Sequence, residues 1–347
     1  MEKDIRIDWI DICKGIAIIL VVLGHTIRDE MRELNSTYDI IYNFIYSFHM
    51  AFFMVLSGFL FGEQCKMRKF DVKFFLYKRS ISLFLPFVSY SLLLYVCFLI
   101  ANVIPFISNM LQGTGYSMIP FGDYIILVLL GENPYGVHVW FMYCLFIVSL
   151  LGLVFFVLLK KQHKYRCQII VFFVGLMWIL RYIIDPEITI VYRVMLVGMY
   201  YLLGMVWKDI FKRINKILYI ILSIIAWSGV FCYSVCLTII NVNDIYKLII
   251  NVLVCICIDN LVHMSCIITG KIKKLICILG KESFSIYLLH QPFFCAFLAT
   301  IFLKLEIPFT VIILLCFTLS ITVPVILTYY IRKQKVLKKI FFFLGIK

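Results

Sequence analysis

The first apolar stretch of the chain carries two ionisable side chains that a simple membrane anchor does not need. Lys14 and His25 both lie within residues 6–26, which read RIDWIDICKGIAIILVVLGHT. Their spacing of eleven residues puts both side chains on one face of a helix, about 16 Å apart along its axis. A charge at the bilayer centre costs about 3 kcal/mol even on the lenient insertion scale, so polar residues aligned on one helix indicate a functional site.

The same two residues also have a purely structural interpretation. Lys14 would extend to the membrane interface and pair with Asp11, which precedes it by three residues. His25 would form only a hydrogen bond to a neighbouring helix. The sequence leaves both interpretations open for each residue taken alone.

Two further histidines lie in later apolar stretches at a comparable depth. We place His49 about 18 Å, and His290 about 12 to 14 Å, from the inner ends of their predicted helices. Three imidazoles at one level predict a shared polar cavity near the middle of the membrane, with Tyr287 one turn before His290. The alternative is three separate hydrogen bonds between helices.

Histidine is suited to proton transfer, because its unperturbed pKa of about 6.5 lets it accept a proton from a hydroxyl near neutral pH. Three histidines are also compatible with a metal site. The sequence contains no HxH or HxxxH pair, so we predict no metal.

The composition sets the class of protein that positions these side chains. Of the 347 residues, 63% are hydrophobic and 15% are charged, and the mean hydropathy is +1.02. Soluble proteins contain about 25% charged residues. We therefore predict an all-α, polytopic integral membrane protein that forms a single transmembrane domain over residues 1–347.

About ten membrane-spanning helices are expected at roughly 20 residues each. Their predicted ranges are 9–26, 39–61, 80–104, 137–159, 167–184, 191–207, 217–237, 246–266, 282–303 and 308–331.

The distribution of basic residues predicts the orientation. With a cytoplasmic N-terminus, 27 of the 33 lysine and arginine residues fall in the inner segments. The positive-inside rule then places both termini in the cytoplasm. The net charge of +14 is explained by this asymmetry, so we predict no nucleic-acid partner.

Two more groups of residues are candidates for binding. Lys78 and Arg79, at the predicted start of the third span, belong to a basic cluster on the same side as Lys14, and such a cluster can pair with phosphates. A positive-inside loop at lipid headgroups is the alternative, which we prefer for residues 66–73. Trp140, at the outer end of the fourth span, is either an aromatic belt residue or a platform for a sugar ring.

Taken together, these stretches resemble the membrane-bound acyltransferase-3 family, the polytopic O-acyltransferases that modify surface polysaccharides. Lys14 and His25 match its Arg/Lys-x10-His motif. Four later segments agree in order and spacing, so the resemblance covers nearly the whole chain: FHMAFFMVLSGFLF at 48–61, KRSISLFLPF at 78–87, VWFMYCL at 139–145 and LGKESFSIYLLH at 279–290.

The resemblance implies an O-acyltransferase of the cell membrane, expected to be an O-acetyltransferase. The donor substrate would be cytoplasmic acetyl-coenzyme A, with no permanently bound cofactor, and the acceptor a hydroxyl of an extracytoplasmic or lipid-linked glycan. His25 would be the general base or a transient acyl carrier. The donor would meet Lys14, Lys78 and Arg79, and the substrate or cavity residues would be Asp11, His49, Trp140, Tyr287 and His290.

The chain departs from the family pattern at two positions, and a different class of protein is also considered. Ser82 stands where many relatives have a second arginine, and Lys14 where many have arginine. A transporter or flippase for lipid-linked sugar or a small polar solute is the alternative, because transport also requires polar residues at mid-membrane. The inverted repeats and matching helix breaks that are frequent in transporters are not evident in the sequence.

Overall fold

The computed structural model describes residues 8–66, 70–105, 108, 117–159, 165–181, 183–184, 189–211, 215–239 and 246–346. Within these ranges the regular structure is helical and no strand occurs. The predicted all-α fold is therefore confirmed.

The helices vary in length from single turns to long apolar rods. In chain order they are α1, Asp8–Thr26; α2, Asp29–Leu34; α3, Ser36–Tyr46; α4, His49–Cys65; α5, Val72–Arg79; α6, Leu85–Val103; α7, Phe121–Leu129; α8, Trp140–Leu159; α9, Arg166–Leu180; α10, Thr189–Met205; α11, Trp207–Phe211; α12, Lys216–Ile239; α13, Tyr246–Ile267; α14, Gly270–Lys281; α15, Ser283–Leu289; α16, Ala299–Lys304; α17, Phe309–Lys333; and α18, Lys335–Phe341. Two π-helical segments, Ser80–Phe84 and His290–Leu298, lead into α6 and α16.

Eight helical stretches in the described residues are long and apolar enough to cross a membrane: Asp8–Thr26, Ser36–Cys65, Val72–Val103, Val137–Leu159, Lys216–Ile239, Ile249–Ile267, Ser283–Lys304 and Phe309–Lys333. Two shorter apolar helices, Arg166–Leu180 and Ile190–Met205, accompany them. Each predicted span overlaps one of these ten stretches. The polytopic architecture is thus confirmed, while the number of crossings and the cytoplasmic termini stay predictions.

The helix that contains the third predicted span begins at Val72, about two helical turns before the predicted start of that span at residue 80. Helix α5 begins at Val72, because the Asp71 side chain accepts a hydrogen bond from the Phe74 amide (3.1 Å) and caps the first turn. The helix then continues through the π segment into α6 without a stop. Lys78 and Arg79 therefore lie in the last turn of α5 and do not open this helix, contrary to the prediction.

The chain divides into two compact units, and each is described by itself. The first contains the residues up to Phe59 together with Val206–Tyr329, and the second contains Leu60–Met205 together with Tyr330–Lys347. The predicted single domain over residues 1–347 stays a prediction.

In the first unit, α1 packs on α14 through two glycines. A methyl group at Gly280 would overlap the carbonyl group of Asp11, and one at Gly15 would overlap the carbonyl oxygen of Ile276. The two backbones therefore approach more closely than any larger side chain would permit. This contact holds the N-terminal half of α1, which carries Lys14.

A buried carboxylate on α13 joins this helix to α11 and α12 of the same unit. Asp259 on α13 is 3% exposed. Its Oδ1 accepts from the Trp207 indole of α11 (2.8 Å), and its Oδ2 accepts from the Tyr219 hydroxyl of α12 (2.7 Å). The His263 imidazole, one turn later on α13, lies 3.4 Å from Oδ2. We interpret this network as structural, because hydrogen bonds from Trp207 and Tyr219 satisfy both oxygens of the buried carboxylate.

A second polar network ties α3 to α12. Asp39 accepts from the Arg32 Nε (2.7 Å), the Asn43 amide (3.0 Å) and the Thr238 hydroxyl (2.7 Å). This network fixes α3 between Arg32 and Thr238. Helix α3 ends at Tyr46, and the turn at Ser47 and Phe48 separates it from α4.

Candidate active site

Helix α1 is continuous from Asp8 to Thr26, so Lys14 and His25 keep the spacing that puts them on one face. Asp11 is buried (6% exposed), while Lys14 and His25 are half-buried. The chain thus holds a partly accessible cation and a partly accessible imidazole about 16 Å apart on one rod.

The fold brings the three candidate histidines together at the end of α1. The rings of His25 and His290 are stacked, with centroids 5.1 Å apart and planes inclined by 10°. His49 meets His25 edge-on, with centroids 6.4 Å apart and an angle of 79°. The Tyr287 ring lies 6.0 Å from that of His290. We refer to His25, His49 and His290 as the histidine cluster.

Two members of the histidine cluster are held by the backbone of their own helices. The Nδ1 of His49 donates to the Ile45 carbonyl (2.9 Å), and the Nδ1 of His290 donates to the carbonyls of Tyr287 (2.7 Å) and Ile286 (3.1 Å). Carbonyl oxygens only accept hydrogen bonds, so Nδ1 carries a proton in both rings. Both rings are also buried, at 2% and 0% exposure.

His25 has a different partner. Its Nδ1 lies 2.7 Å from the hydroxyl of Tyr46, the last residue of α3. A hydroxyl can donate or accept, so this bond is compatible with either tautomer of the imidazole. His25 is half-buried and Tyr46 is 37% exposed. In the histidine cluster, His25 therefore combines partial exposure with a side-chain hydroxyl as its partner.

Tyr46 was not among the residues predicted from the sequence. The available signal was its position three residues before His49, which places both on one side of a helix. The turn between α3 and α4 still leaves the two rings in edge contact, at 4.6 Å and 63°. The contact with His25, by contrast, depends on the packing of two helices.

Lys78 and Arg79, which were predicted to contact the donor, and Trp140 all belong to the second unit. Arg79 is half-buried, with its Cζ 5.3 Å from the Phe75 ring centroid, and Lys78 is exposed. The Arg193 Cζ lies 5.3 Å from the ring centroid of Trp140, and the same guanidinium donates to the Gly131 carbonyl (2.6 Å). Trp140 therefore has a cation–π partner, and its predicted roles as belt residue or sugar platform stay predictions.

In the described part of the chain, no group of three or more His, Cys, Asp or Glu side chains is arranged to hold a metal ion.

Multiple apolar helices around a polar histidine cluster define a membrane-embedded protein with a group suited to proton transfer. A family model described as an acyltransferase domain matches residues 7–329. The chain therefore belongs to the acyltransferase-3 family and is a membrane acyltransferase. No curated protein and no solved structure gives a significant match.

Proposed function

We propose that this acyltransferase is an O-acetyltransferase of the cell membrane. It would move an acetyl group from cytoplasmic acetyl-coenzyme A to a hydroxyl of an extracytoplasmic or lipid-linked glycan. The observation that carries the proposal is the half-buried His25, whose Nδ1 contacts the Tyr46 hydroxyl beside two backbone-anchored imidazoles.

The reaction needs a group that removes a proton from the acceptor hydroxyl and later returns one to the leaving thiol. Nδ1 of His25 contacts the Tyr46 hydroxyl, and we assign this exchange to Nε2. In direct transfer, Nε2 takes the hydroxyl proton while the oxygen attacks the thioester carbonyl carbon. The carbon–sulfur bond then breaks, and the thiolate takes the proton from the imidazolium, giving an ester and free coenzyme A.

A two-step route uses the same residue as a carrier. Nε2 would attack the thioester carbon, and the carbon–sulfur bond would break so that coenzyme A leaves as a thiolate. The acceptor hydroxyl would then displace the imidazole and give up its proton, which the thiolate takes. The half-buried position of His25 is compatible with both routes, so we leave the choice between them to experiment.

The donor would enter from the inner end of α1. Lys14 is proposed to meet a phosphate of coenzyme A. The extended pantetheine arm is comparable in length to the rise of about 16 Å between Lys14 and His25, so the thioester would reach His25. Lys78 and Arg79 remain candidates for further phosphate contacts on sequence grounds, with Asp11 as the carboxylate next to Lys14.

The test is transfer of isotope-labelled acetyl groups in membranes that contain the wild-type chain or a variant. We expect label from acetyl-coenzyme A in surface or lipid-linked glycans with the wild type. His25→Ala should lower the rate by about 10² to 10⁴, the usual effect of removing a general base, at equal protein levels. His263→Ala is the matched control, because that imidazole contacts Asp259 in the same unit and belongs to a structural network.

Mass spectrometry of the glycans then decides the acceptor class. Acetyl esters that depend on His25 support the proposal. Wild-type ester levels in the His25→Ala strain would refute the role of His25. Label in another product, such as a small sugar, would refute the glycan acceptor and keep the acyltransferase.

A further inference from the structure

We propose that Tyr46 is a positioning residue for His25, whose hydroxyl accepts a hydrogen bond from Nδ1 and thereby keeps Nε2 unprotonated and ready to take a proton. The proposal rests on the proposed function, because it assigns a partner to the imidazole that acts in that reaction.

The contact between His25 and Tyr46 is short. The His25 Nδ1 and the Tyr46 hydroxyl oxygen are 2.7 Å apart, and the two rings are 5.7 Å apart at 47°. A neutral imidazole carries one proton, so a donating Nδ1 leaves a lone pair on Nε2. The opposite polarity, with the tyrosine as donor, would put the proton on Nε2 and remove the base.

Three neighbours fix the position of the Tyr46 ring. Tyr42, one turn earlier on α3, stacks on it with centroids 3.9 Å apart at 23°, and His49 contacts it edge-on at 4.6 Å. On the other side is Gly24, where a methyl group would lie 3.0 Å from the Tyr46 ring and 3.1 Å from the Ile45 side chain. The residue before His25 thus has to be small for the tyrosine to reach the imidazole.

Tyr42 is in turn held by a cation. The Arg32 Cζ lies 3.7 Å above the centre of the Tyr42 ring, a cation–π contact. Two carboxylates orient Arg32: Asp39 accepts from Nε (2.7 Å) and Asp29 accepts from Nη1 (2.8 Å). A series of fixed contacts therefore runs from Asp39 through Arg32 and both tyrosines to His25.

Kinetics of Tyr46→Phe provide the first test, because this change removes one oxygen and keeps the stacked ring. We expect kcat to fall about ten- to a hundredfold, the range for a hydrogen bond to a charged group, with KM for acetyl-coenzyme A unchanged. Tyr38→Phe, which removes a hydroxyl from the same helix at a ring that packs on Phe309, should leave kcat unchanged. Gly24→Ala keeps every hydroxyl but crowds Tyr46, so it should also lower kcat.

The protonation of His25 provides a second test that does not need the acceptor. Diethyl pyrocarbonate modifies neutral imidazole, so the pH dependence of labelling at His25, followed by mass spectrometry, gives the midpoint of its titration. The titratable or charged groups near His25 or its tyrosine partner include Tyr42, Tyr46, His49, His290, Cys295 and Arg32. The Tyr46→Phe variant retains all of these groups except the hydroxyl of Tyr46.

An accepting hydroxyl stabilises the imidazolium, so its removal should move the labelling midpoint to lower pH. A midpoint that moves to higher pH would show that Tyr46 donates, and it would overturn the proposal. Normal transfer and an unchanged midpoint in Tyr46→Phe would overturn it while leaving the proposed function intact. A lowered midpoint in a chain whose wild type transfers no acetyl group would instead refute the proposed function and with it the catalytic role.

Discussion

The imidazole of His290 lies parallel to that of His25, with ring centroids 5.1 Å apart and planes inclined by 10°. His290 is fully buried and bonded to two backbone carbonyls, whereas His25 is half-buried and bonded to a side chain. The His290 ring is thus held by the backbone of its own helix, and it orients the His25 ring that stacks on it.

His290→Ala should reduce kcat by up to about a hundredfold, because small misplacements of a reacting group have effects of that size. The binding of acetyl-coenzyme A should not change, since His290 contacts His25 at the end of α1 that is distant from Lys14. Acetyl-transfer kinetics of His290→Ala and His25→Ala, measured in parallel, test this prediction. A larger loss than in His25→Ala would mean that His290 itself exchanges the proton.

Lys14→Ala should weaken donor binding by about 1.5 to 3 kcal/mol, the scale of a charge-assisted hydrogen bond. Lys14→Arg keeps the charge and should remain active, and Lys14→Glu should be worse than alanine because it adds repulsion. Lys273→Ala is the control, because Lys273 pairs with Asp8 (3.1 Å) beside the same helix. Donor dependence should be measured with acetyl-coenzyme A and with its form that lacks the 3′-phosphate.

The two donors separate the interpretations of Lys14. A contact with the 3′-phosphate requires a smaller loss with the truncated donor than with the full one. Equal losses would exclude that phosphate as the partner. If Lys14 only balances Asp11, the double change Asp11→Asn with Lys14→Gln should restore function.

Gly280→Ala should destabilise the protein by about 1 to 3 kcal/mol, the usual effect of overpacking. The added methyl group would overlap the Asp11 carbonyl of α1, and one helix backbone would have to move. Gly175→Ala is the control, since nothing lies within 4 Å of the added atom on α9, and a gain of up to about 1 kcal/mol is expected there. Thermal unfolding in detergent measures both, and equal midpoints would contradict the close α1–α14 contact.

The charge asymmetry predicts that positions 161, 212 and 273 face the cytoplasm and positions 115 and 185 the outside. Of these, only Lys273 lies within the described residues. Single cysteines at the five positions should be treated in intact cells with an impermeant thiol reagent and compared with the parent, which has thirteen native cysteines. Labelling at 161 without labelling at 115 would reverse the orientation.

Much of the fold and part of the site could be predicted because helix geometry is local. The face shared by Lys14 and His25 required only a continuous helix, and α1 is continuous. The prediction that His25, His49 and His290 lie near one another came from counting residues within apolar stretches, and their rings do contact one another. Apolar length and periodicity carry this information without tertiary contacts.

The remaining features depend on packing between helices. The bond between His25 and Tyr46 exists because Gly24 permits a close approach of α1 and α3, and no pattern within either helix encodes it. The start of α5 at Val72 could not be predicted from hydropathy, because α5 mixes polar and apolar residues and does not resemble a membrane span. The signal was the helix cap formed by Asp71.

The partner of His25 is a phenol where many enzymes use a carboxylate, and this choice affects the electrical behaviour of the site. Tyr46, His49 and His290, which contact His25, carry no fixed charge. The proton taken from the acceptor would leave on the thiol of coenzyme A. Moving one charge across the full membrane potential would involve about 2.3 kcal/mol per 100 mV. Because the proposed cycle moves no net charge, acetyl transfer should proceed at the same rate in cells with and without a membrane potential.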